Sequence, residues 1–203
     1  DSRAYYSNLY NRSDTLLKII ERGWDLPLST GSRQRASIAS NKGIWIMHML
    51  RFLMFDTQTR THPKFNKFIQ ELSIRMNGRT FANIDFVKLA EKYYGASLTD
   101  FFAHWLYGYN MPEFNVEYSF VQRDGSYYID GNVVTKKVDA DYSQPVIMRV
   151  ELKGSTTDES VYIRENIKAP QSSFTLGPFA SEPKKFVFNE FMSVLCESNV
   201  KEK

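Results

Sequence analysis

The stretch Ile38-Ala-Ser-Asn-Lys-Gly-Ile-Trp-Ile-Met-His-Met-Leu-Arg-Phe-Leu-Met-Phe55 dominates this sequence. From Ile44 onward it is almost wholly apolar and is broken only by one histidine and one arginine. A membrane-spanning helix needs roughly 20 predominantly apolar residues, so this run is too short and too interrupted to be one. A helix that is apolar on nearly all sides lies in the middle of a globular core. We therefore predict a core helix over residues 42–55, with Lys42 and Gly43 in the turn that leads into it.

Four further helices are predicted from apolar residues at helical spacing. They cover residues 5–22, 63–76, 84–94 and 98–107. Gly23 and Gly95 each follow one of these segments and are predicted to cap its C-terminal end. Asn83 and Ser97 stand before the last two segments and are predicted N-caps. The segment from Trp24 to Ser37 is rich in Ser, Gly and Pro, which predicts a loop.

The apolar pattern changes period at Met111-Pro112. Beyond it, apolar and polar residues alternate from Phe114 to Phe120, which is typical of a half-buried strand, and Asp124-Gly125 is a hairpin signal. Further short apolar runs follow at a spacing of roughly 8–12 residues, which is typical of an antiparallel sandwich. The last predicted strand covers residues 192–195, and the polar tail from Glu197 is predicted to fray.

These patterns predict an α+β fold in two parts. An all-α domain of about five helices over residues 1–111 is followed by an antiparallel β-sandwich over residues 112–203. The net charge of +3 is small and no dense run of Lys or Arg occurs, so we predict no nucleic-acid partner and no membrane span. The chain begins at Asp1 without an initiator Met, and we expect its natural N-terminus to be missing.

Few residues are candidates for chemistry. The single cysteine, Cys196, excludes an intrachain disulfide and is interpreted as a buried or incidental thiol, which leaves the compartment undetermined. The histidines are His48, His62 and His104; none has metal-ligand spacing, and no His-Glu-x-x-His occurs. We interpret His48 and His104 as core residues and His62 as a loop residue. The residues alone therefore indicate no catalytic, cofactor-binding or metal-binding site in this chain.

One ordered set of residues nevertheless matches a known family: Lys42-Gly43-x-Trp45-x-x-His48-Met49-Leu50-Arg51, Asp85-Phe86, Glu91, Gly95, Leu98, Phe101-Phe102, Trp105-Leu106, Pro112 and Val116. In these positions the chain resembles the zinc aminopeptidases of the gluzincin kind, which include aminopeptidase N and leukotriene A4 hydrolase. The part from residue 113 onward resembles, mostly in architecture, the β domain that follows the catalytic domain in this family.

The resemblance implies where the catalytic groups should be. In the family, two histidines and a glutamate hold the zinc, and the glutamate within His-Glu-x-x-His is the general base. That segment would lie before Asp1. The family also has a tyrosine two residues before Lys-Gly, whose hydroxyl stabilises the oxyanion. Here Ser40 stands in that position. The serine side chain is roughly a ring's length shorter than that of tyrosine, so its hydroxyl would not come within the ~3 Å that stabilisation of the oxyanion requires. No tyrosine lies between Trp24 and Ser40 to replace it.

The resemblance therefore implies that this chain is the C-terminal part of a metallopeptidase catalytic domain together with the β-sandwich that follows it. As a separate chain it is expected to be inactive. Zinc would be bound only by the parent protein, if its upstream segment carries the family motif. We expect three partners for this chain: the upstream segment of its parent, peptide substrates that the parent binds, and a second copy of the chain. The alternative is a non-catalytic, peptidase-like scaffold or protein-interaction module. Ser40 favours this alternative, unless the alignment is locally shifted or the tyrosine was changed.

Overall fold

Helices fill the first part of this chain and strands fill the second, as a computed structural model shows. The structure describes residues 2–28, 35–78, 82–154 and 159–203, and for residues 35–37 the backbone alone. The chain divides into a helical unit and a strand unit. The helical unit comprises Asp1–Asp56 and Arg60–Met111, and the strand unit comprises Thr57–Thr59 and Pro112–Lys203. Their assignment as the domains of a peptidase stays a prediction.

The helical unit contains five described α-helices, and a π-helical turn, Ala103–Tyr107, continues the last of them. The helices are α1 (Ser2–Glu21), α2 (Arg35–Leu53), α3 (Pro63–Met76), α4 (Asn83–Tyr94) and α5 (Thr99–Phe102). All five predicted helices are confirmed. Trp45, Met49 and Leu50 of α2 are fully buried, so its predicted place in the core is confirmed too.

The predicted start of α2 is wrong. The helix begins at Arg35, so Lys42 and Gly43 lie inside it and not in a turn before it. The predicted loop from Trp24 to Ser37 ends early for the same reason, and residues 29–34 lie outside the described residues. Glycine inside a helix costs only about 1 kcal/mol relative to alanine, and burial of the large side chains that follow Gly43 offsets that cost.

The helix ends agree only in part with the predicted caps. Gly23 and Gly95 both adopt positive φ after their helices, and the Gly95 N–H donates to the Glu91 carbonyl, so these two caps are confirmed. Asn83, however, is the first residue of α4. The N-cap is Ala82, whose backbone N–H donates to the Asp85 carboxylate at 3.2 Å. Ser97 lies one residue before the N-cap of α5, Leu98.

The strand unit contains two sheets. In chain order the strands are β1 (Glu113–Arg123), β2 (Ser126–Lys136), β3 (Ser143–Leu152), β4 (Val161–Lys168), β5 (Gln171–Phe179), β6 (Pro183–Val187) and β7 (Glu197–Glu202). The strand orders are β5-β2-β1-β7 in one sheet and β4-β3-β6 in the other, and every pairing except β1 with β7 is antiparallel. The predicted α+β fold, with helices followed by mainly antiparallel sheets, is confirmed.

Aromatic rings connect the two sheets. Phe186 of β6 contacts Tyr118 of β1 and Phe174 of β5, with ring centroids 4.7 and 5.7 Å apart. Gly131 of β2 leaves room for the Phe174 ring, because a Cβ atom at Gly131 would clash with that ring. Phe114 of β1, fully buried, contacts Phe188 at 5.6 Å. Large rings packed between the sheets therefore form the core of the strand unit.

Two predictions for the C-terminal region are wrong. Residues 192–195 form no strand, because a 3₁₀ turn over Glu190–Met192 reverses the chain there with positive φ at Phe191 and Met192. The polar tail is not frayed but forms β7, which pairs in parallel with β1. Strand β7 has no apolar face. It is held by its backbone hydrogen bonds to β1 and by the ion pair of Lys203 with Glu117, whose charged atoms lie 2.8 Å apart. Within the described residues, no helix combines the length and apolar character that crossing a bilayer requires.

Replacing Gly43 by alanine should stabilise the chain. Gly43 lies inside α2 and nothing lies within 4 Å of an added Cβ atom, so the change removes the flexibility cost of glycine without a clash. We expect Gly43→Ala to raise the free energy of unfolding by about 0.5–1 kcal/mol, measured by urea denaturation. Gly131→Ala is the matched control and should destabilise, because Phe174 occupies the space. Destabilisation by Gly43→Ala would mean that the chain turns at Gly43 and is not helical there.

Candidate functional site

A groove on the helical unit is formed by residues of α1, α2 and α3 and has a volume of about 520 Å³. We call it the α1–α2 groove. Its apolar wall consists of Ala39, Ile44, Met47 and Phe65, and its polar groups belong to Tyr5, Arg12, Ser40, His48 and Arg51. The volume is within the range of about 300–1,000 Å³ that is typical of small-molecule sites.

One face of α2 supplies most of this lining. Counted from Ser40, the lining residues Gly43, Ile44, Met47, His48 and Arg51 follow at the helical intervals of 3, 4, 7, 8 and 11 positions. Residues at this spacing share one face of an α-helix. The other faces of α2 carry the buried core residues, so a helix that is apolar nearly all round still presents one mixed face to the groove.

His48 and Tyr5 form the polar pair of the groove. The Tyr5 hydroxyl and His48 Nδ1 are hydrogen-bonded at 2.7 Å. The His48 side chain is buried, as predicted, and its ring contacts those of Trp45 and Phe52 with centroids 5.4 and 4.9 Å apart. Ring packing and the hydrogen bond hold the imidazole in one orientation, so the phenol of the half-exposed Tyr5 is held at the groove as well.

Two arginines supply the charge of the groove. Arg12 of α1 donates from Nη1 to the Asn41 side-chain oxygen at 3.0 Å and to the Ser40 carbonyl at 3.3 Å. The guanidinium of Arg51 lies 5.9 Å from the centroid of the Tyr5 ring, a cation–π distance. None of the described residues that line the groove carries a carboxylate. Among the described residues neither arginine has an ion-pair partner.

A buried ion pair fixes α2 from within the helical unit. Lys42 Nζ lies 3.7 Å from Asp25 Oδ2, with side-chain exposures of 2% and 6%, and it donates to the Gly108 carbonyl at 3.1 Å. The Asn110 and Leu26 N–H groups also donate to the Asp25 carboxylate. Burial lowers the pKa of Lys42, and the charge of Asp25 opposes that shift.

The remaining residues singled out in the sequence do not come together. Burial, reinforced by the charge of Lys42, lowers the pKa of His104 to about 4. Burial also lowers the pKa of His62, whose Nδ1 lies 3.3 Å from the Arg51 carbonyl oxygen. Cys196 belongs to the strand unit, and burial raises the pKa of its thiol to about 12. This thiol is therefore protonated at neutral pH, although the residue as a whole is only partly buried.

The described residues include no cluster of metal ligands. Within the described ranges, no three His, Cys, Asp or Glu side chains converge on one point. A catalytic zinc needs about three such ligands in fixed geometry. His48 is engaged by Tyr5 and by surrounding aromatic rings, and His104 belongs to another part of the helical unit. The part of the chain that the structure describes therefore offers no set of three converging zinc ligands.

Ser40 does line the groove, beside groups that the sequence did not connect with it. Tyr5 and Arg12 were missed because they precede Ser40 by 35 and 28 positions and carry no motif. The segment between Trp24 and Ser40 contains no tyrosine, whereas Tyr5 reaches the groove from α1. The helical spacing of α1 could have placed Tyr5 and Arg12 on one face, since they are seven residues apart.

Comparison with known proteins identifies the fold. No family model and no curated protein matches the chain. Among solved structures, it is similar to aminopeptidase A of Legionella pneumophila in complex with aspartic acid, at 13% identity and a TM-score of 0.57. The match covers 79% of this chain and 18% of that one. The chain has an aminopeptidase-like fold. It spans less than a fifth of the length of the solved aminopeptidase.

Removing the charge of Lys42 should destabilise the chain strongly. Lys42→Met would leave the buried Asp25 carboxylate without its cation, a change that typically costs about 3–5 kcal/mol. Adding Asp25→Asn should recover part of the loss, because the double variant buries no unpaired charge. Urea unfolding measures both changes. A loss below about 1 kcal/mol for Lys42→Met would contradict a buried, compensated pair.

His104 should make the chain acid-sensitive. Its pKa is about 4 in the folded chain and near its ordinary value of 6.5 in the unfolded chain, so between these values only the unfolded state binds the proton. Stability should therefore fall as pH decreases from 6.5 to about 4, by no more than about 3 kcal/mol.

The variant His104→Gln isolates this effect. The difference in unfolding free energy between wild type and variant should change over this pH range and be constant above about pH 7. Urea unfolding at a series of pH values measures it. A difference independent of pH would show that His104 takes up its proton equally in both states.

Proposed function

We propose that this chain is the C-terminal part of the catalytic domain, with the β domain that follows it, of a protein of the gluzincin zinc aminopeptidase kind. The likeness of its fold to a solved aminopeptidase, over 79% of the chain, carries this proposal. The residues that resemble the family, from Lys42 to Arg51, all lie on α2, the central helix of the helical unit. The parent would remove N-terminal residues from peptides, with zinc held by its upstream segment.

In this proposal the chain contributes a wall of the substrate cleft and no catalytic group. The described residues provide no converging metal ligands. Ser40 lines the α1–α2 groove at the position that corresponds, by the resemblance, to the oxyanion-binding tyrosine. Loss of one oxyanion donor costs about 10²–10³ in rate. The chain by itself would therefore bind no zinc tightly and cleave no peptide.

A second function is favoured by Ser40. A parent that has lost the oxyanion tyrosine can keep the peptidase fold as a scaffold and use its surfaces to bind a protein. One measurement distinguishes the two functions. If the parent is an aminopeptidase, restoring a phenol at residue 40 should increase its zinc-dependent turnover. If the parent is a protein-binding scaffold, no such increase is expected.

Metal analysis and an aminoacyl-anilide assay test the inactive chain. We expect far less than one zinc per chain after purification without chelators, because the ligands are absent from the described residues. Turnover should equal that of a heat-inactivated control. Stoichiometric zinc with turnover above that control would refute the proposed division of roles.

The longer protein that carries this chain tests the position of Ser40. In a zinc-containing parent, Ser40→Tyr should raise turnover by about 10²-fold or more, because it supplies the missing donor. Ala39→Tyr, one position earlier on α2, is the matched control and should have little effect. If neither variant changes the turnover of an active parent, the oxyanion position is not residue 40.

A further inference from the structure

The described residues do not compensate the charge of the α1–α2 groove. Arg12 and Arg51 both line it, no described carboxylate does, and neither guanidinium pairs with a described acid. Arginine stays charged at every physiological pH. Two such cations beside an apolar wall attract an anion, and a partly desolvated anion gains more from them than one in water.

The two guanidiniums are held in place by neutral groups. Arg12 donates hydrogen bonds to the side-chain amide oxygens of Asn8 and Asn41 and to the backbone carbonyl oxygen of Ser40. Arg51 lies against the Tyr5 ring, and a cation–π contact does not use the N–H donors of a guanidinium. Both side chains are thus oriented before any ligand arrives, which lowers the entropy cost of binding.

The apolar wall determines the rest of the ligand. Ile44 and Met47 form it on α2, and Phe65 adds an aromatic surface from α3. A small inorganic anion would use the arginines and leave this wall in water. A ligand that uses both has a carboxylate on an apolar body of about the size of one or two residues, since the groove measures about 520 Å³.

We propose that the α1–α2 groove binds the C-terminal carboxylate of a short peptide that ends in an apolar residue. This inference deepens the proposed function and rests on it, because it names the end of a peptide substrate or product that the helical unit anchors. The guanidiniums bind the carboxylate with charge-assisted hydrogen bonds, and the apolar side chain packs against the wall of the groove.

The direct test is calorimetric titration of the chain with N-acetyl-leucyl-phenylalanine and, separately, with its C-terminal amide. We expect the acid to bind at least about tenfold more tightly than the amide, because only the acid carries the charge. The preference should decrease as sodium chloride is raised, since salt screens the interaction. Equal affinity of acid and amide would overturn the proposal.

Matched variants locate the binding site. Arg12→Gln and Arg51→Gln should each reduce the preference for the acid several-fold. Arg22→Gln should not, because Arg22 lies 5.4 Å from the Trp24 ring and outside the groove lining. Circular dichroism verifies that each variant is folded. If the groove variants behave like Arg22→Gln, the acid binds elsewhere and the proposal fails.

A steric variant gives a second, independent result. Gly43 lines the groove and has no atom within 4 Å of an added Cβ, so Gly43→Leu fills the groove without disturbing the helix. It should abolish binding of the acid.

Sedimentation completes the test. If the acid does not bind and wild-type chains form a dimer that Gly43→Leu dissociates, the groove is instead an interface between two copies. None of these measurements involves zinc or turnover, so their failure is distinguishable from failure of the proposed function.

Discussion

The helical unit depends on the burial of a single charge. The Lys42 ammonium lies in the interior, and burial lowers its pKa, so its ionised form requires all of its partners in place. Those partners come from two distant segments, Asp25 after α1 and Gly108 after the π-helical turn. A buried ion pair stabilises only when the remaining donors and acceptors are also satisfied, and the backbone N–H of Asn110 contributes to that. One lysine thereby connects two distant segments of the unit to one point of α2.

Anchoring at Lys42 determines what α2 presents to solvent. Lys42, Trp45 and Met49 point to the interior. The face that contains Ser40 and Arg51 then lies at the groove, beside residues of α1. A helix that is apolar almost all round can be buried in several rotations. Lys42 excludes the rotations of α2 that would expose its buried neighbours and bury its ammonium without a partner. Burying such an unpaired charge costs several kcal/mol.

We propose a division of labour inside one catalytic domain, in which one part of the domain carries the metal and another holds the substrate. The aminopeptidase-like fold of the chain supports this proposal. In it, the α1–α2 groove, whose lining includes the phenol of Tyr5 and the guanidiniums of Arg12 and Arg51, would recognise a charged end group of the substrate.

Local sequence alone determined the number and order of the helices, the change to strands at Pro112 and the burial of α2, because apolar periodicity and glycine caps act within a few residues. Tertiary structure decided the rest. The polar segment Glu197–Glu202 becomes β7 because the edge of β1 offers it unpaired backbone groups, which no property of its side chains reveals. Helix α2 continues through Gly43 because long-range packing outweighs a small local cost. Tyr5 reaches the groove that Ser40 lines because α1 packs beside α2, and residues that are far apart in sequence meet only when the chain is folded.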